Sequence, residues 1–237
     1  DEEMSLTQLK AQLDLPPATL HRMLKTMAQR GYVEQDARTR RYGPGLRIMQ
    51  IAEASRRNAR FDLINIVRPF LKDLTAESGE TSNLVVPQNR KIVYVDQAPS
   101  PRSVRMFTEV GQRAPWYCTA SGKAILARLP EADLDAYLAT TALQSVTPHT
   151  IVSTAALQHQ ISAIQDRGFA VDDEEYELGV RCVAAAIMDH LGRCVAAVSV
   201  SGPAHRLTDD LVPNLGERVK QVSEQCSDLL GYRIANS

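Results

Sequence analysis

A proline pair breaks the start of the chain into two helical segments, and that break limits what the segment can become. In "SLTQLKAQLDLPPATLHRMLKTMAQRG", Leu6, Leu9 and Leu13 recur at helical spacing, one buried stripe. Ser5 or Thr7 can cap its start. Proline is tolerated in the first turn of a helix, so Pro16-Pro17 ends one helix and opens the next. The second runs from about Pro17 to Arg30, with Leu20, Met23, Leu24 and Met27 as its apolar face and Gly31 as its stop. Thr19, His21, Arg22 and Lys25 fall on its outer face. "YVEQ" and "RRYGPG" then read as short strands around the arginine-rich turn "DARTR".

Two short helices with a tight turn, the second carrying basic groups outward, form a helix-turn-helix pattern. The hairpin after it is a wing, which offers Arg38, Arg40 and Arg41 to phosphate or the minor groove. An ordinary amphipathic helix pair with a solvated basic face would show the same two helices. Charge separates the two readings. Residues 1–60 hold 11 Lys+Arg and 7 Asp+Glu, a net of +4; the other residues hold 16 and 21, a net of -5, giving -1 for the 237-residue chain. A basic head on an acidic body points to a polyanionic partner for the head, double-stranded DNA.

The body reads as α+β around a largely antiparallel sheet. "TSNLVVPQNRKIVYVDQ" is a hairpin turning near Asn89-Arg90, "SVRMFTEVG" a further short strand, and "TASGKAILARL" a helix with Thr119 or Ser121 near its cap. Two more helices, a strand "FAVDDEE" running into an acidic loop, the hairpin "RCVAAAIMDHLGRCVAAVSVSGP" and a closing helix follow. In that hairpin a two- or four-residue loop near Leu191-Gly192 places Cys182 opposite Ser201 and Ala184 opposite Ser199; an odd loop would place the two sets on opposite faces. An even loop gives a face of one thiol, two hydroxyls and a row of alanines, with room for a small molecule. A helix packed tightly on the alanines would use the same pattern.

The head is similar to the winged helix-turn-helix of IclR-type bacterial transcriptional regulators, through "LTQLKAQLDLPPATLHRMLKTMAQRGYVEQD…RRYGPGLRIMQIA". The body resembles the same family in "APWYCTASGKAILA" and in "GFAVDDEEYELGVRCVAAAIMDHLGRCVAAVSVSGPAHRL". The resemblance implies a further helix before this point, covering the face of Leu9, Leu20 and Leu24. It also implies a profilin- or GAF-like domain that binds a small organic acid, met by Ala120, Ser121, Asp172, Cys182, Ser199 and Ser201, and an assembly of dimers or dimers of dimers. The family often carries smaller or different residues where this chain has Trp116, Tyr117 and Cys118, which bears on the ligand's identity; Trp116, Tyr117, Met106 and Phe107 either widen the choice to aromatic acids or belong to the core or a dimer surface. The expected layout is a DNA-binding domain over 1–45, a linker helix over 46–60 and an effector-binding domain over 61–237.

Other residues have plainer readings. Glu174 and Glu175 read as a solvated acidic turn, Arg181 and Arg206 as partners in structural ion pairs, and His149, His159, His190 and His205 as surface residues. The four cysteines form no CxxC pair and fit a reduced cytoplasm. Neither a cofactor nor a metal site is expected, and no apolar run approaches the ~18 residues of a membrane span. A competing class is an enzyme with Cys182 or Cys118 as nucleophile; a third is an architectural DNA-binding protein without ligand.

Overall fold

The computed structural model describes residues 3–13, 15–56 and 59–232. The chain divides into two compact units, Asp1–Asp62 and Leu63–Ser237.

In the first unit, α1 (Leu6–Leu13) and α2 (Pro17–Gln29) precede a hairpin of β1 (Val33–Gln35) and β2 (Tyr42–Pro44). Ser5 caps α1 reciprocally: its Oγ accepts from Gln8 N, and its own N–H donates to Gln8 Oε1. Pro17 opens α2 and Gly31, at φ 74°, ends it. Gly45 is a close approach, since a Cβ there would lie 2.3 Å from Gly31 O. Met4 pairs with Tyr42, tying the chain before α1 to the wing.

The expected apolar faces are narrower than their spacing suggests. Leu20 and Leu24 are buried, 2% and 6% exposed. Leu13, Met23 and Met27 are exposed instead, because α1 and the hairpin cover only one side of α2. α3 (Leu46–Arg56) and α4 (Ala59–Ser78) follow; residues 57–58, inside the expected linker helix, lie outside the described residues.

The second unit is a six-stranded antiparallel sheet of order β5-β4-β3-β8-β7-β6. Its strands are β3 (Thr81–Gln88), β4 (Lys91–Ala98), β5 (Arg113–Pro115), β6 (Ala170–Asp173), β7 (Val180–Met188) and β8 (Cys194–Pro203). One face packs on α4 and on α8 (Val212–Leu229), through Leu71, Leu84, Val183, Val198 and Val222. The other packs on α5 (Ala120–Leu126), α6 (Glu131–Thr140) and α7 (Thr154–Arg167), through Val85, Ala124, Leu138, Ile161, Ala184 and Ala197. Asn89 and Arg90, both at positive φ, make the two-residue turn between β3 and β4.

Two expectations change here. Residues 103–111 form no strand. Side chains hang this segment on the sheet: Thr81 Oγ1 donates to Met106 O at 3.1 Å, and Gln97 Nε2 donates to Thr108 O at 2.9 Å. Arg113–Pro115 takes the sheet edge instead. The β7–β8 loop, 189–193, is odd, yet it gives the pairing expected only of an even loop: Cys182 faces Ser201 and Ala184 faces Ser199. A bulge beside Ile187 and Met188 absorbs the extra residue. Asp189 fixes the loop by accepting from the N–H groups of Leu191 and Arg193.

Gly122 sits in the first turn of α5, where a Cβ would lie 2.3 Å from Trp116 Cα and O. Alanine in a helix ordinarily gains stability over glycine. Here the clash is with backbone, and Gly122→Ala should destabilise the second unit by about 1–3 kcal/mol. Urea denaturation measures this; a raised or unchanged midpoint would show that α5 does not need this approach.

Candidate functional site

On the first unit, His21, Arg22 and Lys25 are exposed along α2, while Thr19, expected beside them, is half-buried. Arg38, Arg40 and Arg41 are exposed on the wing. Asp36 shapes the turn: its Oδ1 accepts from the N–H groups of Thr39 and Arg38, which holds the carboxyl below its usual range. Arg40 takes a positive φ, and Arg41 Nη1 donates to Glu3 O at 3.3 Å. These cations carry no carboxylate partner among the described residues. A guanidinium fork and an ammonium held this way suit phosphate oxygens and base edges.

On the second unit, strand register brings one polar row together across the sheet. Asp172 on β6 pairs with Cys182 on β7, Cys182 with Ser201 on β8, and Ser201 with Thr81 on β3. Ser201 Oγ donates to Cys182 Sγ at 3.0 Å. The row meets the start of α5. Thr119 caps that helix, accepting from Gly122 N at 3.2 Å and donating to Pro115 O at 2.8 Å. The N–H groups of Ala120 and Ser121 have no intrahelical acceptor.

Between them is a small, partly open cavity lined by Ala120, Ser121, Asp172, Cys182 and Ser201 from the expected set, and by Tyr94, Met106, Thr119, Tyr176, Glu177 and Val180 besides. It has a volume of about 20 Å³, room for about one water. Ser199 does not line it. That residue lies one pair further along the same face, 1% exposed, between Ala184 and Asn83. Further still, Ala184 and Ala197 are buried in the α5 layer. The small-residue face therefore serves both purposes weighed for it: close helix packing at one end and a polar cavity at the other.

The acidic loop after β6 is not the solvated turn expected. Glu175 is buried and pairs with Lys123, itself 0% exposed in α5; Lys123 Nζ also donates to Gln160 Oε1 at 2.8 Å. Glu174 is half-buried, and its Oε2 accepts from Gly179 N at 2.7 Å. Asp172 Oδ1 accepts from Glu175 N at 2.8 Å and from Tyr176 N at 3.3 Å. Burial, and then the charge of Glu175, push the Asp172 carboxyl up to about 7, against the pull of Lys123 and the two N–H donors. Near neutral pH this group is thus a donor as well as an acceptor, where an ionised carboxylate would only accept.

Other features are structural. Arg206 and Arg102 both bind the buried Glu80, and Arg181 binds Asp173 and Asp209. His149, His159, His190 and His205 are exposed. Trp116 stacks on Tyr137 in the core, Tyr117 donates to Gln144 O, and Phe107 is exposed, so none of the three lines the cavity. Burial pushes the thiols of Cys118 and Cys182 up to about 12, which keeps both protonated and poor as nucleophiles. A larger cleft of about 370 Å³ lies along Leu74, Leu207, Leu211 and Leu215, but its arginines are already held by Glu77 and Glu80.

Sequence reasoning missed Tyr94, Tyr176 and the Lys123–Glu175 pair, read Thr119 only as a helix cap, and weighed Met106 only for an aromatic ligand. One signal was present: Lys123 is the lone charge in "ASGKAIL".

The comparisons with known proteins agree with this architecture. Residues 1–37 match the IclR helix-turn-helix domain, and residues 57–228 match the bacterial transcriptional regulator IclR C-terminal domain. The HTH-type transcriptional repressor AllR of Escherichia coli (strain K12) is 34% identical over 229 residues, 97% of this chain and 84% of that protein. The crystal structure of the Thermotoga maritima IclR superposes with a TM-score of 0.78 at 31% identity, covering 98% of this chain and 93% of that one. A putative IclR regulator from Silicibacter sp. TM1040 gives 0.81 at 25% identity, covering 99% and 91%. With both domain types matched in order and a relative aligned along nearly the whole chain, this protein belongs to the IclR family of ligand-responsive, DNA-binding transcriptional regulators.

Proposed function

We propose that the exposed face of α2 and the wing bind operator DNA, and that the cavity at the start of α5 senses a small organic acid, the protein acting in the cytoplasm as a homodimer or homotetramer. Thr19, His21, Arg22 and Lys25 face the major groove in this reading, with Thr19 the least accessible. Arg38, Arg40 and Arg41 hold phosphate or the minor groove. Two such heads related by a dyad fit a palindromic site.

The observation that carries the acid reading is the cross-strand row Asp172–Cys182–Ser201 facing the N–H groups of Ala120 and Ser121 across one small cavity. Those N–H groups and the Ser201 hydroxyl are donors that suit a carboxylate. With room for about one water, the cavity admits an acid only when side chains such as Met106, Tyr94 and Tyr176 give way. Effector entry is thereby tied to movement of the segment around Met106 and the loop after β6. A nucleophilic role for Cys118 or Cys182 has less support, since both thiols are held protonated and the histidines of this unit lie at the surface.

Arg22→Ala should lose about 1–3 kcal/mol of discrimination between operator and random DNA. Fluorescence anisotropy on both DNAs measures it, and equal weakening on the two makes Arg22 a phosphate contact.

Removing one wing arginine should weaken binding to every sequence and lower the salt slope by about 1. Unchanged slopes for Arg38→Ala, Arg40→Ala and Arg41→Ala exclude a wing contact.

For the effector, calorimetry with lactate, pyruvate and benzoate against their amides should show binding of at least one acid and not of its amide. Ser201→Ala should then cost about 1.5–3 kcal/mol, and Ser199→Ala clearly less. Equal binding of acid and amide contradicts an anion site, and normal binding by Ser201→Ala places the pocket elsewhere.

A further inference from the structure

The cavity wall holds more negative charge than positive. Asp172 and Glu177 line it, and no lysine or arginine does; beside Asp172, Glu175 pairs with the ammonium of Lys123 from α5. That ammonium is already committed to Glu175 and Gln160. Glu175 Oε2 is buried and has no partner among the described residues, so Lys123 does not even fully satisfy its own carboxylate. Asp172 is 5% exposed and has no cation of its own. Its Oδ1 serves the loop N–H groups, which leaves Oδ2 for the cavity shared with Ser121, Cys182 and Ser201. A carboxylate brought into this nearly dry space meets a second carboxylate at close range. Like charges confined in that way do not both ionise.

We propose that the effector binds with uptake of one proton, held between its carboxylate and Asp172, so that the sensor reads acid and pH together. The inference rests on the acid-sensor reading. In the balance, the acid arrives as its anion and Asp172 as a carboxylate. One proton comes from solvent, one O–H donates to the facing carboxylate oxygen, and release of the acid returns the proton. No other bond changes. Binding of a neutral amide, which brings no second charge to Asp172, requires no such uptake.

The groups facing Asp172 leave it as the member of the cluster that changes charge near neutrality. From β4 comes Tyr94, from the segment before α5 Cys118, from α5 Lys123, from β7 Cys182, and from its own loop Glu175, Tyr176 and Glu177. Burial lifts both thiols to about 12 and lifts Tyr94 and Tyr176 as well, so these keep their protons. Lys123 and Glu175 are bound to each other.

The test is calorimetry of the whole protein with lactate, pyruvate and benzoate, in buffer pairs of different ionisation enthalpy. The expected result is uptake of about one proton per acid bound at about pH 8.5, and an affinity roughly 30-fold weaker there than at about pH 6. Asp172→Asn keeps an acceptor for the loop N–H groups and adds a donor, so it should bind with pH-independent affinity and no uptake. Should that variant not fold, the wild-type proton count decides alone. Equal affinity at both pH values with no proton taken up overturns the proposal while leaving the acid sensor intact. No binding by any probe at either pH overturns the acid-sensor reading and this proposal with it. A ligand-free measurement stands beside these. The folded-state carboxyl is raised, so its stabilisation is full below the unfolded value near 4 and is lost as pH rises toward 7. The folding equilibrium of wild type relative to Asp172→Asn should fall about tenfold per pH unit between about 5 and 7. A constant ratio means that Asp172 is ionised throughout in the free protein; uptake must then reach about one proton per acid at pH 6 as well as at pH 8.5, and no uptake at either overturns the proposal.

Discussion

The pairing register of β7 with β8 decides what the sensing unit can be. A one-residue slip turns every side chain of a strand to the opposite face. In the observed register Cys182, Ala184, Ser199 and Ser201 share the face toward α5, and Val183, Ala185, Val198 and Val200 the face toward α4 and α8. A slip would send the valines against α5 and the hydroxyls into the opposite core, where they would lack partners. The bulge beside Met188 and the Asp189-braced loop are what allow an odd connection to keep this register.

The small residues on that face let α5 sit close to the sheet, and its closeness sets the chemistry. Ala184 and Ala197 leave space for the helix, while Gly122 leaves space for the Trp116 backbone against it. Lys123 is thereby carried into the interior, where an ammonium must be paired, and Glu175 is drawn down to meet it. Because Glu175 N and Tyr176 N both bind Asp172, that pair also fixes the loop that walls the cavity. Helix packing, the buried ion pair and the polar cavity are one linked arrangement, and a ligand entering the cavity acts on all three.

What could be read from the sequence follows the range of the interactions concerned. Local patterns were legible: the Pro16-Pro17 break, the wing, the Asn89-Arg90 turn and the face shared by Cys182 and Ser201 all follow from spacing or turn chemistry. The loop parity was left open in the sequence; the loop is odd, and a bulge keeps the pairing that an even loop would give. Features that depend on distant partners were not legible. Ser199 and Ser201 are equivalent in the pattern, and only the position of the α5 start makes Ser201 a cavity residue and Ser199 a packed one. Glu175 looked like a solvent-exposed charge because Lys123 lies far away in sequence. Thr81 and Met106 joined the site through the β3–β8 pairing and a hydrogen bond to an irregular segment, neither of which has a local signature. Met23 and Met27 fit the helical stripe but face outward, since periodicity identifies a face and cannot say how much of it is covered.

The central claim is that the effector's carboxylate sits between the start of α5 and the Asp172–Cys182–Ser201 row. A crystal structure of the protein with the tightest-binding probe acid tests this most directly. The account predicts the carboxylate against Ala120 N, Ser121 N and Ser201 Oγ, with Asp172 within hydrogen-bond distance and the cavity enlarged around Met106, Tyr94 and Tyr176. Acid density in the cleft bounded by Arg102, Arg206 and Arg218, with the Asp172 cavity still closed, would contradict it.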